Sequence, residues 1–180
     1  MTHVAVLVGS LRADSVNRRI AESLRDLAPA DTVIDIVDGL GDLPFYNEDL
    51  DGEGAPESVA RVRERVGRAD RVLAVTPEYN ATMPAVLNNA IDWLSRPYGV
   101  GALAGKPFGV VGVTPTQYGG KWAHEDARRS VKIAGAIVVE DVDLSQSSIG
   151  LDVLNDPEVR AKLQAALQTL LDFDPEIVAA

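Results

Sequence analysis

The sequence has 180 residues, no cysteine, and 17 Lys and Arg against 27 Asp and Glu, a formal net charge of −10 with an isoelectric point near 4.6. That length suits one domain, residues 1–180, with a sizeable core, and the acidic balance argues against gripping nucleic acid or an anionic membrane by bulk charge. Missing thiols exclude disulfides, thiolate zinc, iron–sulfur clusters and a Cys nucleophile, and they permit a cytoplasmic setting.

The elements follow in chain order. Residues 4–8, all apolar and rich in Val, read as a strand covered on both faces. Gly9 and Ser10 end it. Ser15 can cap a helix whose Ile20, Leu24 and Leu27 share one face, and Pro29 closes it. Residues 33–37 form a second strand, and Asp35 within it suits a sheet edge. A Gly- and acid-rich stretch over 49–56 reads as a surface loop, followed by a helix over 56–66 and a third strand over 72–76. Pro84 sits at the first position of a helix that lines up Leu87, Ala90, Ile91 and Leu94. Residues 108–113 are a fourth strand, 120–134 a helix, 136–139 a fifth strand, and Pro157 starts a last helix. This alternation predicts an α/β fold, a flavodoxin-like doubly wound parallel sheet in the order 2-1-3-4-5 with helices on both faces. Ligands of such sheets lie beyond the carboxyl ends of the strands. No run approaches the roughly 20 apolar residues of a bilayer span, and no signal peptide is expected.

Three loops at those strand ends carry the chemistry. After the first strand, Ser10, Ser15 and Asn17 cluster at a helix N-terminus beside Arg12. Free N–H groups, the helix dipole and a forked cation suit a small anion such as one phosphate. An ordinary Ser-capped turn with a solvated arginine has the same composition. No Gly-Lys-Ser/Thr follows, and the second and third glycines of a dinucleotide fingerprint are missing. After the third strand, Pro77-Glu78-Tyr79-Asn80 is stiffened by Pro77 and Pro84, and its amides and aromatic ring suit the edge of a planar polar heterocycle. After the fourth, Thr114 precedes Gly119 and Gly120, which allow close backbone approach.

Together the segments GSLRADSVN and TPEYNATMPAVLNNAIDWLSRP, with the later Gly-Gly, resemble the NADPH-dependent FMN reductase family of quinone, azo-dye and chromate reductases. The resemblance implies FMN as cofactor, NADPH or NADH as co-substrate, and hydride passed from nicotinamide to FMN and on to a small-molecule acceptor. It implies that Ser10, Arg12, Ser15, Val16 and Asn17 hold the phosphate. Pro77, Glu78, Tyr79 and Asn80 would line the ring, largely through backbone groups, with Thr114, Gly119 and Gly120 closing the other side. Ala85 stands where the family has Gly and Asn88 where it has Lys, and Asp14 adds a negative charge near the phosphate. A homodimer or homotetramer is implied, with Trp93 as an interface candidate.

Other features read more simply. His3 and His124 are too few for a His-rich metal site, and no metal is expected. His124 reads as an exposed helical residue, and Arg128 and Arg129 as surface charges, although either suits a nicotinamide cofactor's phosphates. Asp49, Asp51 and Glu53 alternate without calcium-loop spacing. Ser10 has no nearby His for a triad. The alternative function is a flavodoxin-type electron carrier, against which stand Arg12 and the Pro-Glu-Tyr-Asn segment. A response-regulator domain would need acids at the strand ends, where Ser10 and Pro77 stand instead.

Overall fold

A computed structural model gives the structure and describes residues 1–52 and 54–178. Glu53, the last of the three alternating acids, lies outside the described residues. The strands are β1 (Thr2–Val8), β2 (Thr32–Ile36), β3 (Arg71–Val75), β4 (Pro107–Thr114) and β5 (Ile137–Ser147). The helices are α1 (Val16–Leu27), α2 (Glu57–Arg68), α3 (Ala85–Leu94), α4 (Lys121–Ile133), α5 (Pro157–Asp172) and the single turn Pro175–Val178. All strand pairs are parallel, in the predicted order 2-1-3-4-5.

The period of two along each strand divides the core. Ala5 and Leu7 of β1 face one layer, and Val4, Val6 and Val8 face the other. Helices α1 and α5 cover the second layer with Ile20, Leu24, Leu163 and Leu167. Helices α2, α3 and α4 cover the first with Val59, Val62, Leu87, Ile91, Ala127 and Val131. Each fully buried Leu or Ile contributes about 1.5–3 kcal/mol, so two-sided burial explains the uninterrupted apolar strands.

Local chemistry fixes the element ends. Ser15 caps α1, its Oγ accepting from the Arg18 N–H at 3.2 Å. Asp156 caps α5 ahead of Pro157. Arg71 at the foot of β3 donates to the carbonyls of Leu170, Leu171 and Phe173, satisfying the last turn of α5. Pro84 is the cap of α3 rather than its first residue: its ψ of 145° is extended and its carbonyl accepts from the Leu87 and Asn88 N–H groups. Asp35, on edge strand β2, accepts from Arg65 of α2 at 3.1 Å.

Three expectations are corrected. The fifth strand does not stop at 139. The register jumps between Phe108 and Val110, which turns Glu140 and Asp141 outward and lets Val142 and Leu144 re-enter the core. Arg128 is no surface charge: its guanidinium donates to the Val142 carbonyl and the Asp143 carboxylate, tying α4 to this bulge. Trp93 is fully buried within its own chain, its Nε1 donating to the Pro44 carbonyl at 2.8 Å and its ring edge-on to Tyr46. It has no surface left for a partner subunit.

Candidate functional site

The chain leaves β1 toward β2 on one side and β3 continues toward β4 on the other, so the crevice opens between the ends of β1 and β3. The two strands approach closely there. A Cβ on Gly9 would lie 2.2 Å from Thr76 Oγ1, which makes glycine obligatory at the exit of β1. Beyond it, Arg12 is exposed and has no ion-pair partner among the described residues. The cap bond from Ser15 takes the Arg18 N–H and leaves the N–H groups of Val16 and Asn17 with no protein acceptor among the described residues. Arg12 and these two open amides belong to one loop at a helix N-terminus, where unpaired N–H groups and the helix dipole favour an anion. Asp14 is also exposed.

Asn17 differs from expectation. Its side chain is buried and exchanges two 2.9 Å hydrogen bonds with the Val113 backbone of β4. The residue's main-chain N–H has no acceptor among the described residues. Ser10 is half-buried in the same loop.

The loop after β3 is a tight hairpin. Tyr79 and Thr82 exchange backbone hydrogen bonds of 3.0 and 3.1 Å, and Asn80 and Ala81 adopt φ of 52° and 58°. Two successive left-handed residues define a type I′ turn. The Tyr79 N–H is therefore engaged inside the turn, while the N–H groups of Glu78 and Asn80 have no protein acceptor among the described residues. Pro77 is buried, whereas Tyr79 is 47% exposed. The Glu78 carboxylate accepts from the Trp122 and Ala123 N–H groups at 3.0 and 3.1 Å, so α4 anchors the loop through its first turn.

Gly9, Leu11, Arg12, Tyr79, Pro84 and Ala85 line one groove of about 410 Å³, bringing the first two loops together. Ala85 lies in this wall. Thr114 and Gly119 are buried beside it rather than in it. Gly119, at φ 64°, packs so closely that a Cβ would meet the Ser145 carbonyl at 2.3 Å, and Gly120 starts α4 at φ 95°. A larger hollow of about 950 Å³ beside Tyr46, Arg63 and Arg96 draws on none of these loops.

Two residues of α4 support the loop after β3, one unremarked in sequence and one placed differently there. Asp126 of α4 bonds the Thr82 hydroxyl. His124, expected on the surface, is fully buried beneath Thr76, and that burial pushes its pKa down to about 4. The inward spacing of Ala123, His124, Ala127 and Val131 is the signal that places it. Arg129 stays on the surface, paired with Asp126. Among the described residues no cluster of His, Asp and Glu has metal-binding geometry, and no helix is long and apolar enough to cross a membrane.

Comparison with known proteins adds a family. Residues 2–149 match the sequence model described as NADPH-dependent FMN reductase. A quinone reductase of Pseudomonas putida is 51% identical over 128 residues, 71% of this chain and 68% of that protein. An NAD(P)H-dependent FMN reductase of Pseudomonas aeruginosa is 35% identical over 167 residues, 90% of this chain and 89% of the relative. Among solved structures, the flavoenzyme NAD(P)H:(acceptor) oxidoreductase FerB of Paracoccus denitrificans superposes with a TM-score of 0.84 at 35% identity, covering 96% of both chains.

Proposed function

The chain belongs to the NADPH-dependent FMN reductase family, and from that premise we propose that it is an FMN-dependent NAD(P)H oxidoreductase acting on a quinone, azo compound or similar small acceptor. The observation that carries the proposal is the pairing of a free Arg12 and the open N-terminus of α1 with an apolar groove walled by the Tyr79 turn. One end fits a phosphate dianion and the other a planar ring. When bound, FMN supplies a ring that accepts hydride from NAD(P)H and returns two electrons to the acceptor.

The chain's own residues bind and orient. Arg12 and the amides of Val16 and Asn17 neutralise the phosphate, with the Ser10 and Ser15 hydroxyls beside them. The unpaired amides of Glu78 and Asn80 would supply donors to a polar ring edge. Tyr79 and Ala85 would offer apolar surface to the ring, while Thr114, Gly119 and Gly120 would support the adjoining backbone from outside the groove. No side-chain nucleophile is required, which suits a chain with no Cys. The P. putida and P. aeruginosa relatives support the oxidoreductase reading, and the quinone reductase name supports the acceptor class. A carrier without NAD(P)H activity is the competing assignment. Direct two-electron reduction of the FMN-loaded protein by NAD(P)H supports the enzyme, whereas reduction only by one-electron donors supports the carrier.

The reading extends to assembly and location. Ile133 is 71% exposed and Tyr98 76% exposed at the rim of a hollow between α3 and α4, a surface suited to a second copy of the chain. Sedimentation showing a dimer or tetramer supports this, and a monomer at micromolar concentration contradicts it. A dinucleotide donor that stays inside cells supports a cytoplasmic setting.

A further inference from the structure

His124 lies outside the groove and beneath its floor. Its Nε2 is 3.2 Å from the Thr76 carbonyl oxygen and its Nδ1 is 2.8 Å from Ser145 Oγ. A carbonyl can only accept, so Nε2 carries the proton and Nδ1 accepts from the Ser145 hydroxyl. Ser145 Oγ is also 3.2 Å from an Asp143 carboxylate oxygen, the longer of its two contacts. The space for the ring is made by glycine. A Cβ on Gly112 would lie 1.9 Å from the Thr76 oxygen and 2.8 Å from Nε2, and one on Gly120 would lie 3.2 Å from Nε2.

Thr76 is the last residue before Pro77, and its carbonyl sets the plane of the peptide from which the hairpin springs. The same helix grips that hairpin at two more points, through Glu78 on the Trp122 and Ala123 amides and through Asp126 on Thr82. His124 is the innermost of the three. We propose that His124 is a positioning residue for the flavin site, its Nε2–H fixing the Thr76 carbonyl and thereby the placement of the Glu78 and Asn80 amides. This rests on the reading of the groove as an FMN site. The role needs a neutral ring, and the surroundings keep it neutral. Burial disfavours the imidazolium most, the Thr76 carbonyl opposes that, Arg128 on α4 adds to it, and Asp143 on β5 opposes it. The Thr76 carbonyl after β3 and Gly112 of β4, which border the ring, carry no charge.

The test combines FMN titration of the unmodified chain, His124→Gln and His124→Asn with imidazole NMR of the unmodified chain. A glutamine amide nitrogen reaches the position of Nε2, whereas that of asparagine stops near Nδ1. We expect His124→Gln to keep the FMN dissociation constant within about threefold and His124→Asn to raise it by about tenfold or more, the scale of a mispositioned donor set. NMR should find a neutral Nε2–H tautomer whose exchange with solvent slows about tenfold or more on FMN saturation, as a stabilised local opening requires. Equal affinities for the two variants, an Nδ1–H or charged ring, or exchange unaffected by FMN overturns the proposal. Where His124→Asn does not fold, the exchange measurement on the unmodified chain decides. If the unmodified chain itself takes up no FMN, the reading of the groove fails and the proposal falls with it.

Discussion

Asn17, the second residue of α1, is joined to Val113 near the end of β4 by two hydrogen bonds of 2.9 Å, the amide nitrogen donating to the Val113 carbonyl and the amide oxygen accepting from its N–H. This clamp holds the N-terminus of α1 against the sheet and leaves the amides of Val16 and Asn17 without a protein acceptor among the described residues. Replacing Asn17 with Ala strands a buried backbone N–H and C=O. The expected loss is about 2–4 kcal/mol of folding stability, since each unsatisfied buried group costs about 1–3 kcal/mol. Urea unfolding measures it, and a loss below about 1 kcal/mol would remove the clamp from the account.

Arg12 has no partner to lose among the described residues, so Arg12→Ala should leave stability within about 0.5 kcal/mol of the parent. It should weaken FMN binding by about 1.5–3 kcal/mol, the scale of a charged hydrogen bond. Fluorescence titration of FMN reports this, and an unchanged dissociation constant would take Arg12 out of the phosphate cradle.

Ala81 holds a φ of 58°, in the left-handed region that costs a non-glycine residue about 1–2 kcal/mol. Ala81→Gly removes that strain, partly offset by glycine's greater freedom in the unfolded chain. The expected result is a gain of up to about 1 kcal/mol, opposite in sign to the usual effect of Ala→Gly. Thermal unfolding decides, and a clear loss would contradict the type I′ geometry of the turn.

The buried His124 ring ties stability to pH. Its pKa falls from 6.5 to about 4 on folding, so between those values the unfolded chain binds the extra proton. Its contribution is intact above pH 6.5 and is lost as pH falls toward 4, at up to about 1.4 kcal/mol per pH unit and about 3 kcal/mol in all. Chemical denaturation across this range should show the slope in the unmodified protein and a flatter line in His124→Gln. Parallel lines would mean that the ring is protonated in the folded state.

The sheet was legible because strands buried on both faces must be continuously apolar, and β1, β3 and β4 are. The sequence ends the fifth strand at 139 because Glu140 and Asp141 interrupt the apolar run, while the bulge that accommodates them is tied to Arg128 of another element. The three loops were readable from their residue types. The division of labour within them was not. Short polar residues at a helix N-terminus have one signature whether they meet an anion or a strand, and the partner of Asn17 lies 96 residues away. For His124 the inward spacing with Ala123, Ala127 and Val131 is the sequence signal of burial, but its partners, the Thr76 carbonyl and the Ser145 hydroxyl, belong to distant segments that the sequence does not bring together.

The central claim is that the groove between Arg12 and Tyr79 holds an FMN that NAD(P)H reduces. Reconstituted with FMN under anaerobic conditions and mixed with NADPH or NADH, the protein should lose the visible absorbance of oxidised flavin, and a quinone added afterwards should restore it. Flavin that binds but is bleached by neither nucleotide would contradict the account.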